Sequence, residues 1–201
     1  MKTIDASLAA PPRPKTRPWV RWAVLLTIAV LEVQAVTLPQ LQHDQRMAPK
    51  RFASYFEYFA FELNEAVQPA EVFLAREKGD CDDYAVLADF VLKPKGYTTH
   101  LIWVRMVGQI PHCVCYVDQS KAYLDYNNRD VFFTLERSHP SLREIANKVA
   151  ASFNASWTSA TEFTYSYATE IHGWGATVVR TDPPKDDPAL GQTNLSKIYV
   201  N

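Results

Sequence analysis

The feature that most constrains the fold is a cysteine at the start of a predicted helix, within the segment GDCDDYA of residues 79–85. Asp80 is a favourable N-cap, and Asp83 follows at the spacing of a capping box, with aspartate in place of the usual glutamate. The helix is predicted to run from Asp80 to about Lys93, before a proline. Cys81 therefore lies in the first helical turn.

This position leaves two roles open for Cys81. The helix dipole at the first turn favours a thiolate, which is the nucleophilic form of cysteine. On the same helix face, small residues follow at Ala85 and Ala88, and they let a sheet approach closely beside the sulfur. The other role is that of a buried, inert thiol, as is common for isolated cysteines. Position alone does not separate the two.

Strand-like runs follow this helix. The alternation of apolar and polar residues predicts strands at His100–Val107, His112–Val117 and Ala122–Tyr126. Further helices are predicted over residues 47–67, 69–76 and 138–151, and further strands over 162–167 and 176–180. The first of these helices carries an aromatic stripe, which we interpret as core.

The second and third strands form a predicted hairpin that brings a histidine near a carboxylate. With a turn around Gln119-Ser120, His112 lies opposite Asn127 and diagonal to Asp125 on the same face, roughly 7–8 Å apart between backbones. Side chains can close that gap. A cysteine nucleophile, a histidine base and a carboxylate that orients it are the parts of a thiol-dependent acyl-transfer site.

Each of these residues also has a structural explanation when taken alone. A single histidine in a strand is usually structural, and an aspartate at a strand end often does no more than end the strand. The ordered set Cys81, His112 and Asp125 on helix, strand and strand is much rarer by chance. The sequence therefore favours the catalytic interpretation.

These residues carry a resemblance to a known family. The chain from about Pro69 to Asn127 resembles the transglutaminase-like superfamily, and more closely the bacterial transglutaminase-like cysteine proteinases. The motifs are Pro69-Ala70-Glu71-x-x-Leu74, the GDCDDYA segment, the strand that begins with histidine, and Leu124-Asp125. The resemblance implies a papain-like α+β fold, in which a nucleophile helix packs on an antiparallel sheet.

The resemblance also implies an activity and its residues. Cys81 matches the nucleophile, His112 the general base and Asp125 its orienting acid. We expect an exported cysteine peptidase that acts on amide bonds of a protein or peptide substrate. The same fold also hosts transglutaminases, deamidases and non-catalytic binding domains of the cell envelope, so these remain alternatives.

An acyl-transfer site also needs donors for the oxyanion. The backbone N–H of Cys81, at the helix start, is the first candidate. Asn64 and Gln68 lie upstream in the expected region and are candidates for a second donor.

Three other residues are interpreted as packing residues. Cys113 and Cys115 alternate away from His112 and stand two apart on one strand, which is poor geometry for a disulfide between them. Trp174 stands between two glycines, and we expect it in core or turn packing, with the rim of a substrate groove as the alternative.

The acids around the cysteine raise the question of a metal. Asp80, Asp82 and Asp83 flank Cys81 within one turn, and their charge opposes a thiolate. Asp83 is expected to act as a helix cap. No cofactor is required for the chemistry, but the resemblance points to calcium at Asp80 and Asp82, and calcium accepts such carboxylates.

The N-terminal region is predicted to direct export. Residues 1–38 combine a basic stretch with an uncharged apolar run over 22–31, which favours a signal peptide, with a membrane anchor over 19–38 as the alternative. We therefore expect a periplasmic or secreted protein, and the anchor would associate it with the membrane. A transglutaminase-like domain is predicted over 45–180 and an irregular tail over 181–201.

The charge balance bears on partners. The formal net charge is -1 at pH 7, from 21 basic and 22 acidic residues. A chain with this balance has no electrostatic footprint for non-specific nucleic-acid binding, so no nucleic-acid partner is expected.

Overall fold

The computed structural model describes residues 35–128 and 135–181. Within them the chain is mixed α+β, with a six-stranded antiparallel sheet and helices. The helices are α1 (Leu38–His43), α2 (Pro49–Ser54), α3 (Ala70–Arg76), α4 (Cys81–Leu92) and α5 (Leu142–Ser152). The strands are β1 (Ala60–Phe61), β2 (Lys78–Gly79), β3 (Thr99–Met106), β4 (His112–Val117), β5 (Ala122–Leu124), β6 (Glu136–Arg137), β7 (Trp157–Ser166) and β8 (Ile171–Val179).

The large sheet has the strand order β6-β5-β4-β3-β7-β8, and helices cover both of its faces. Helix α4 packs on one face, where its alanines let it lie close to Cys113 and Cys115 of β4. Helix α5 packs on the other face, against Val114 and Tyr116 of the same strand. The alternation of β4 thus decides which core each side chain enters.

Helix α4 begins where the capping signal predicted. The Asp80 side chain accepts the backbone N–H of Asp82 at 3.3 Å, and the Asp80 backbone N–H donates to Asp83 Oδ2 at 3.1 Å. These bonds satisfy donors that the first helical turn leaves without intrahelical partners. The capping box therefore fixes Cys81 as the first residue of the helix.

The predicted helix over 47–67 is wrong. Helix α2 ends at Ser54, the chain turns, and β1 pairs in parallel with β2. Phe56 and Phe59 still enter the core, but Tyr58 and Phe61 are exposed. The aromatic spacing resembles a helix face, yet the backbone at Ala60 and beyond is held by hydrogen bonds to residues 77–79, far along the chain.

Several other elements differ from their predicted limits. The helix predicted to begin at Ser138 begins at Leu142, because Ser141 is its N-cap and accepts the Glu144 N–H. The backbone of Ser138 instead extends the sheet and donates to Lys121. The last two strands, β7 and β8, are longer than predicted and form an extended hairpin at one sheet edge.

Most of the residues for which the sequence predicts an export signal or an irregular tail are outside the part of the chain that the structure describes. The basic region and apolar run of residues 1–34, and the tail over 182–201, lie outside the described residues. No helix within residues 35–128 and 135–181 combines the length and apolar character needed to cross a bilayer. Helix α1 precedes the predicted domain start, and its Leu41 is fully buried in the core that surrounds α4.

Candidate active site

The Cys81 thiol lies at the junction of α4 and the sheet. Its side chain is 9% exposed, and its Sγ accepts the backbone N–H of Cys113 at 3.3 Å. Cys113 is the second residue of β4, so the sulfur reaches the point where that strand begins. The Cys113 N–H and the N-terminus of α4 both place partial positive charge beside the sulfur, which favours a thiolate.

His112 and Asp125 form a buried pair at the same end of the sheet. His112 Nε2 lies 2.8 Å from Asp125 Oδ1, and each residue is only 4% exposed. The register that predicted this contact is observed, since Val117 pairs with Ala122 on the neighbouring strand. The strand predicted to reach Tyr126 ends at Leu124, so Asn127 lies beyond the paired residues and is not opposite His112. Asp125, the residue predicted on the diagonal, contacts the histidine.

Asn127 supports the pair from outside. Its side chain is exposed, and its backbone N–H donates to Asp125 Oδ1 at 2.9 Å. Asp125 Oδ2 is buried and has no hydrogen-bond partner among the described residues. Asp125 therefore directs one oxygen, Oδ1, toward His112. The Phe153 ring packs against the imidazole, with 4.8 Å between ring centroids and an interplanar angle of 63°.

The charges around His112 decide its protonation. Burial alone lowers the pKa of His112, but the charge of Asp125, the hydrogen bond to it, and the hydrogen bond and charge of the Cys81 sulfur together raise that pKa to about 10. This shift favours the imidazolium form of His112 at neutral pH. Since Nε2 is bonded to Asp125, Nδ1 is the nitrogen that remains for Cys81.

The other two cysteines are packing residues. Cys113 and Cys115 are free thiols with no exposed surface, and both lie between β4 and α4. Burial raises the pKa of both thiols well above the ordinary value, so they stay neutral. Their side chains face α4, the helix that carries Cys81, whereas Val114, the residue between them, faces α5.

The structure gives Asn64 and Gln68 a different task from the predicted one. Gln68 Nε2 donates to Asp83 Oδ2 at 2.7 Å and to the Lys78 carbonyl at 3.1 Å, which uses both of its hydrogens. Asn64 Nδ2 donates to Asp83 Oδ2 at 3.2 Å and to the Glu62 carbonyl at 3.0 Å. Both amides are committed to holding the start of α4, so neither is placed as an oxyanion donor.

Asp80, Asp82 and Asp83 form a tight acidic group. One oxygen from each lies within 4.8 Å of the others. Both carboxylate oxygens of Asp83 accept hydrogen bonds. Oδ1 accepts the Gln68 backbone N–H at 2.6 Å, and Oδ2 accepts the Asn64 and Gln68 side-chain amides and the Asp80 backbone N–H. This bonding agrees with the predicted role of Asp83 as a cap.

Asp82 is the exception within this group. Its Oδ1 is buried without a hydrogen-bond partner among the described residues. Burial, followed by its contact with Asp80 and the charge of Asp83, raises the pKa of Asp82 to about 9. A lone buried oxygen beside a second carboxylate fits either a proton or a cation such as calcium, with Asp80 and Asp82 as its ligands.

We expect Asp82→Asn to stabilise the protein in the presence of a chelator. The folded pKa lies above the ordinary value of 3.8, so ionisation of Asp82 destabilises the fold as pH rises from about 4 toward 9. The variant should therefore unfold at least about 3 °C higher than the parent at pH 8, a gain of about 1 kcal/mol, and show little difference at pH 4. Thermal unfolding by circular dichroism at the two pH values measures this.

Calcium provides the control for this prediction. Added calcium should raise the unfolding temperature of the parent protein and leave that of Asp82→Asn unchanged, if the cation binds here. An equal response of both proteins would exclude Asp82 as a ligand. A variant less stable than the parent in chelator at pH 8 would contradict the destabilising charge.

Trp174 does not occupy the predicted position in the core. It lies on the edge strand β8, is 60% exposed, and stacks on His172 with an interplanar angle of 11°. The nearby Trp103 of β3 contacts it edge to face. The tryptophan therefore belongs to an exposed aromatic surface on the same sheet face as α4.

A scan against models of protein families gives no match to this chain, and a search of curated proteins gives none either.

Proposed function

We propose that the protein is a thiol-dependent hydrolase of peptide amide bonds, with Cys81, His112 and Asp125 as its catalytic residues. The observation that carries the proposal is the buried His112–Asp125 contact of 2.8 Å, beside a thiol at a helix start. Three residues from separate elements converge there, and the pKa of His112 is raised by both partners. A structural histidine needs only one such partner.

The proposed reaction starts from a thiolate and an imidazolium. The Cys81 sulfur attacks the substrate carbonyl carbon and forms a C–S bond, and the carbonyl oxygen becomes an oxyanion. The C–N bond then breaks, and His112 gives its proton to the leaving amine. Water attacks the resulting thioester, His112 takes the proton, and the C–S bond breaks to release the acid and restore the thiolate.

The oxyanion donor in this proposal is the backbone N–H of Cys81. It belongs to the first residue of α4, and such N–H groups have no acceptor within their helix. The N–H also lies at the N-terminal end of α4, where the helix dipole is positive and stabilises developing negative charge. Calcium held by Asp80 and Asp82 would offset the acidic charge around the thiolate.

The proposal extends to the fold type. A helix that presents a cysteine at its N-terminus and packs on an antiparallel sheet supports a papain-like, transglutaminase-like arrangement. The proposed setting is extracytoplasmic, periplasmic or secreted, and it rests on the sequence of residues 1–38. The proposed partner is a protein or peptide substrate.

We expect His112 to remain charged through neutral pH. Because its folded pKa of about 10 lies above the ordinary 6.5, the stabilisation from its partners is complete below about pH 6.5 and is lost as pH rises through 10. Ring NMR signals of labelled histidine should show an imidazolium at pH 8, and urea unfolding should show falling stability from pH 7 to 10. A neutral His112 ring at pH 7 would contradict the ion pair.

A peptide with a thiol-reactive warhead tests the proposed function. Such a probe should label Cys81 in the folded protein and leave Cys113 and Cys115 unmodified, as read by peptide mass spectrometry. Labelled Cys81 together with release of a new amine from peptide substrates supports a hydrolase, and incorporation of an added amine supports acyl transfer. No labelling of Cys81 in the folded protein would favour a non-catalytic binding domain.

A further inference from the structure

A cavity of about 170 Å³ lies beside α4, away from the catalytic residues. Phe90 of α4 and Tyr165 of β7 line it, together with Tyr167, which directly follows that strand. Glu71 of α3 and Glu170 of the β7–β8 turn complete its polar lining. The cavity has several times the volume of a water molecule, so it can admit a side chain.

The rings of the cavity are arranged around Tyr167. Its ring stands at 84° to Phe90 and at 89° to Tyr165, with centroid separations of 5.2 and 5.4 Å. Two rings that meet a third at right angles offer aromatic faces in more than one direction. Aromatic faces attract cations, because the ring quadrupole is negative there.

The charge of the cavity has one sign. Among the described residues that line it, Glu71 and Glu170 are acidic and none is basic. Burial raises the pKa of Tyr165, and the charge of Glu170 raises it further. Burial also raises the pKa of Tyr167, and the charge of Glu71 contributes. The rings therefore stay neutral in a negative field, which favours a cationic ligand and disfavours an acidic one.

The cavity lies within reach of a substrate bound at Cys81. Cys81 and Phe90 belong to the same helix, and nine residues at 1.5 Å each place them about 14 Å apart along its axis. An extended peptide advances about 3.3 Å per residue, so about four residues span that distance. Since nine residues also place the two side chains on opposite sides of α4, a substrate side chain needs to be at least about four residues from the attacked carbonyl to meet the cavity.

An aromatic surface connects the two places. Trp103 lies opposite Cys113 in the sheet register, and Cys113 is the residue whose N–H donates to the Cys81 sulfur. Trp103 contacts Trp174 at 6.4 Å between centroids, Trp174 stacks on His172 at 5.6 Å, and His172 meets Tyr165 at 5.0 Å. Burial lowers the pKa of His172, so this ring is neutral at pH 7.

We infer that this cavity is a specificity pocket for a lysine or arginine side chain of the substrate, about four residues from the bond that Cys81 attacks. The inference rests on the proposed function for the identity of the ligand as a substrate. In this proposal the guanidinium or ammonium group lies among the rings of Tyr165, Tyr167 and Phe90 and is attracted by the carboxylates of Glu71 and Glu170, which line the same cavity.

The test compares arginine with citrulline, which has nearly the same shape and no charge. Alanine-based hexapeptides with a vinyl sulfone warhead carry one or the other at each position in turn, and the labelling rate of Cys81 is measured. We expect about a tenfold preference for arginine at one position near the fourth residue, and little preference elsewhere. Equal rates at all positions overturn the pocket and leave the hydrolase proposal standing.

Matched variants assign the preference to the cavity. Glu71→Gln and Glu170→Gln keep the shape of the side chain and remove its charge, and each should reduce the preference to about threefold. Glu144→Gln serves as the control, because Glu144 is an exposed glutamate on α5, which packs on the other sheet face. A preference that survives in the Glu71→Gln, Glu170→Gln double variant overturns the inference.

An equilibrium measurement separates this inference from the proposed chemistry. Fluorescent peptides without a warhead, with arginine or citrulline at the preferred positions, are titrated into the Cys81→Ala protein. Tighter binding of the arginine peptide, reduced by the glutamine variants, supports the pocket even if Cys81 proves unreactive. Equal affinity of the two peptides, or no binding of either, overturns the pocket.

Discussion

Replacing Cys81 by alanine is expected to lower peptide hydrolysis by about five to six orders of magnitude, because the proposed nucleophile is removed and no other thiol faces the same space. Cys113 and Cys115 are fully buried and neutral, so they cannot substitute for it. The fold should persist, since alanine fits the first turn of α4. Turnover and the far-ultraviolet circular dichroism spectrum of the purified variant measure the two effects.

Cys113→Ser provides the matched control for the nucleophile. Its hydroxyl would lie between β4 and α4 among apolar side chains, so the cost should appear as stability, about 1–3 kcal/mol, with turnover retained in the folded fraction. An equal loss of turnover in folded Cys81→Ala and folded Cys113→Ser would remove the basis for assigning Cys81.

Asp125→Asn is expected to lower turnover by about three to four orders of magnitude, less than the loss of the nucleophile. Asparagine can keep the imidazole in place through its carbonyl oxygen, but it removes the charge that raises the pKa of His112. Without that charge the pKa of His112 is lower, so its imidazolium loses the proton at a lower pH than in the parent protein. Steady-state kinetics over pH 6–10 measure both the rate and this shift.

Asn127→Ala is the control for the aspartate. The exposed Asn127 side chain is not the group that contacts His112, and its backbone N–H, which alanine retains, supplies the bond to Asp125. Turnover should therefore change by less than about threefold, as for other exposed polar side chains. A larger loss in Asn127→Ala than in Asp125→Asn would assign the orienting role to Asn127.

The parts of the site that could be predicted are governed by local patterns. The start of α4 depends on Asp80 and Asp83, three residues apart. The contact of His112 with Asp125 depends on strand alternation and a short turn, within 14 residues of chain. Caps, alternation and hairpin register are visible in sequence because the interacting groups are neighbours along the chain.

The parts that could not be predicted depend on distant residues. The sequence predicted Asn64 and Gln68 as oxyanion donors because it does not show that Asp83 accepts hydrogen bonds from their side-chain amides. The aromatic run near residue 60 resembled a helix because its pairing partner, Gly79, lies 18 residues away. The acidic aromatic cavity likewise joins α3, α4 and the β7–β8 hairpin, which no single pattern connects.

The two buried thiols of β4 can serve as chemical probes of local opening between β4 and α4. Cys113 and Cys115 have no exposed surface, so an alkylating reagent reaches them only when the contact between β4 and α4 opens. In the Cys81→Ala background these two are the only thiols in the chain. Their modification rate then reports the free energy of opening beneath helix α4, in native buffer and without denaturant.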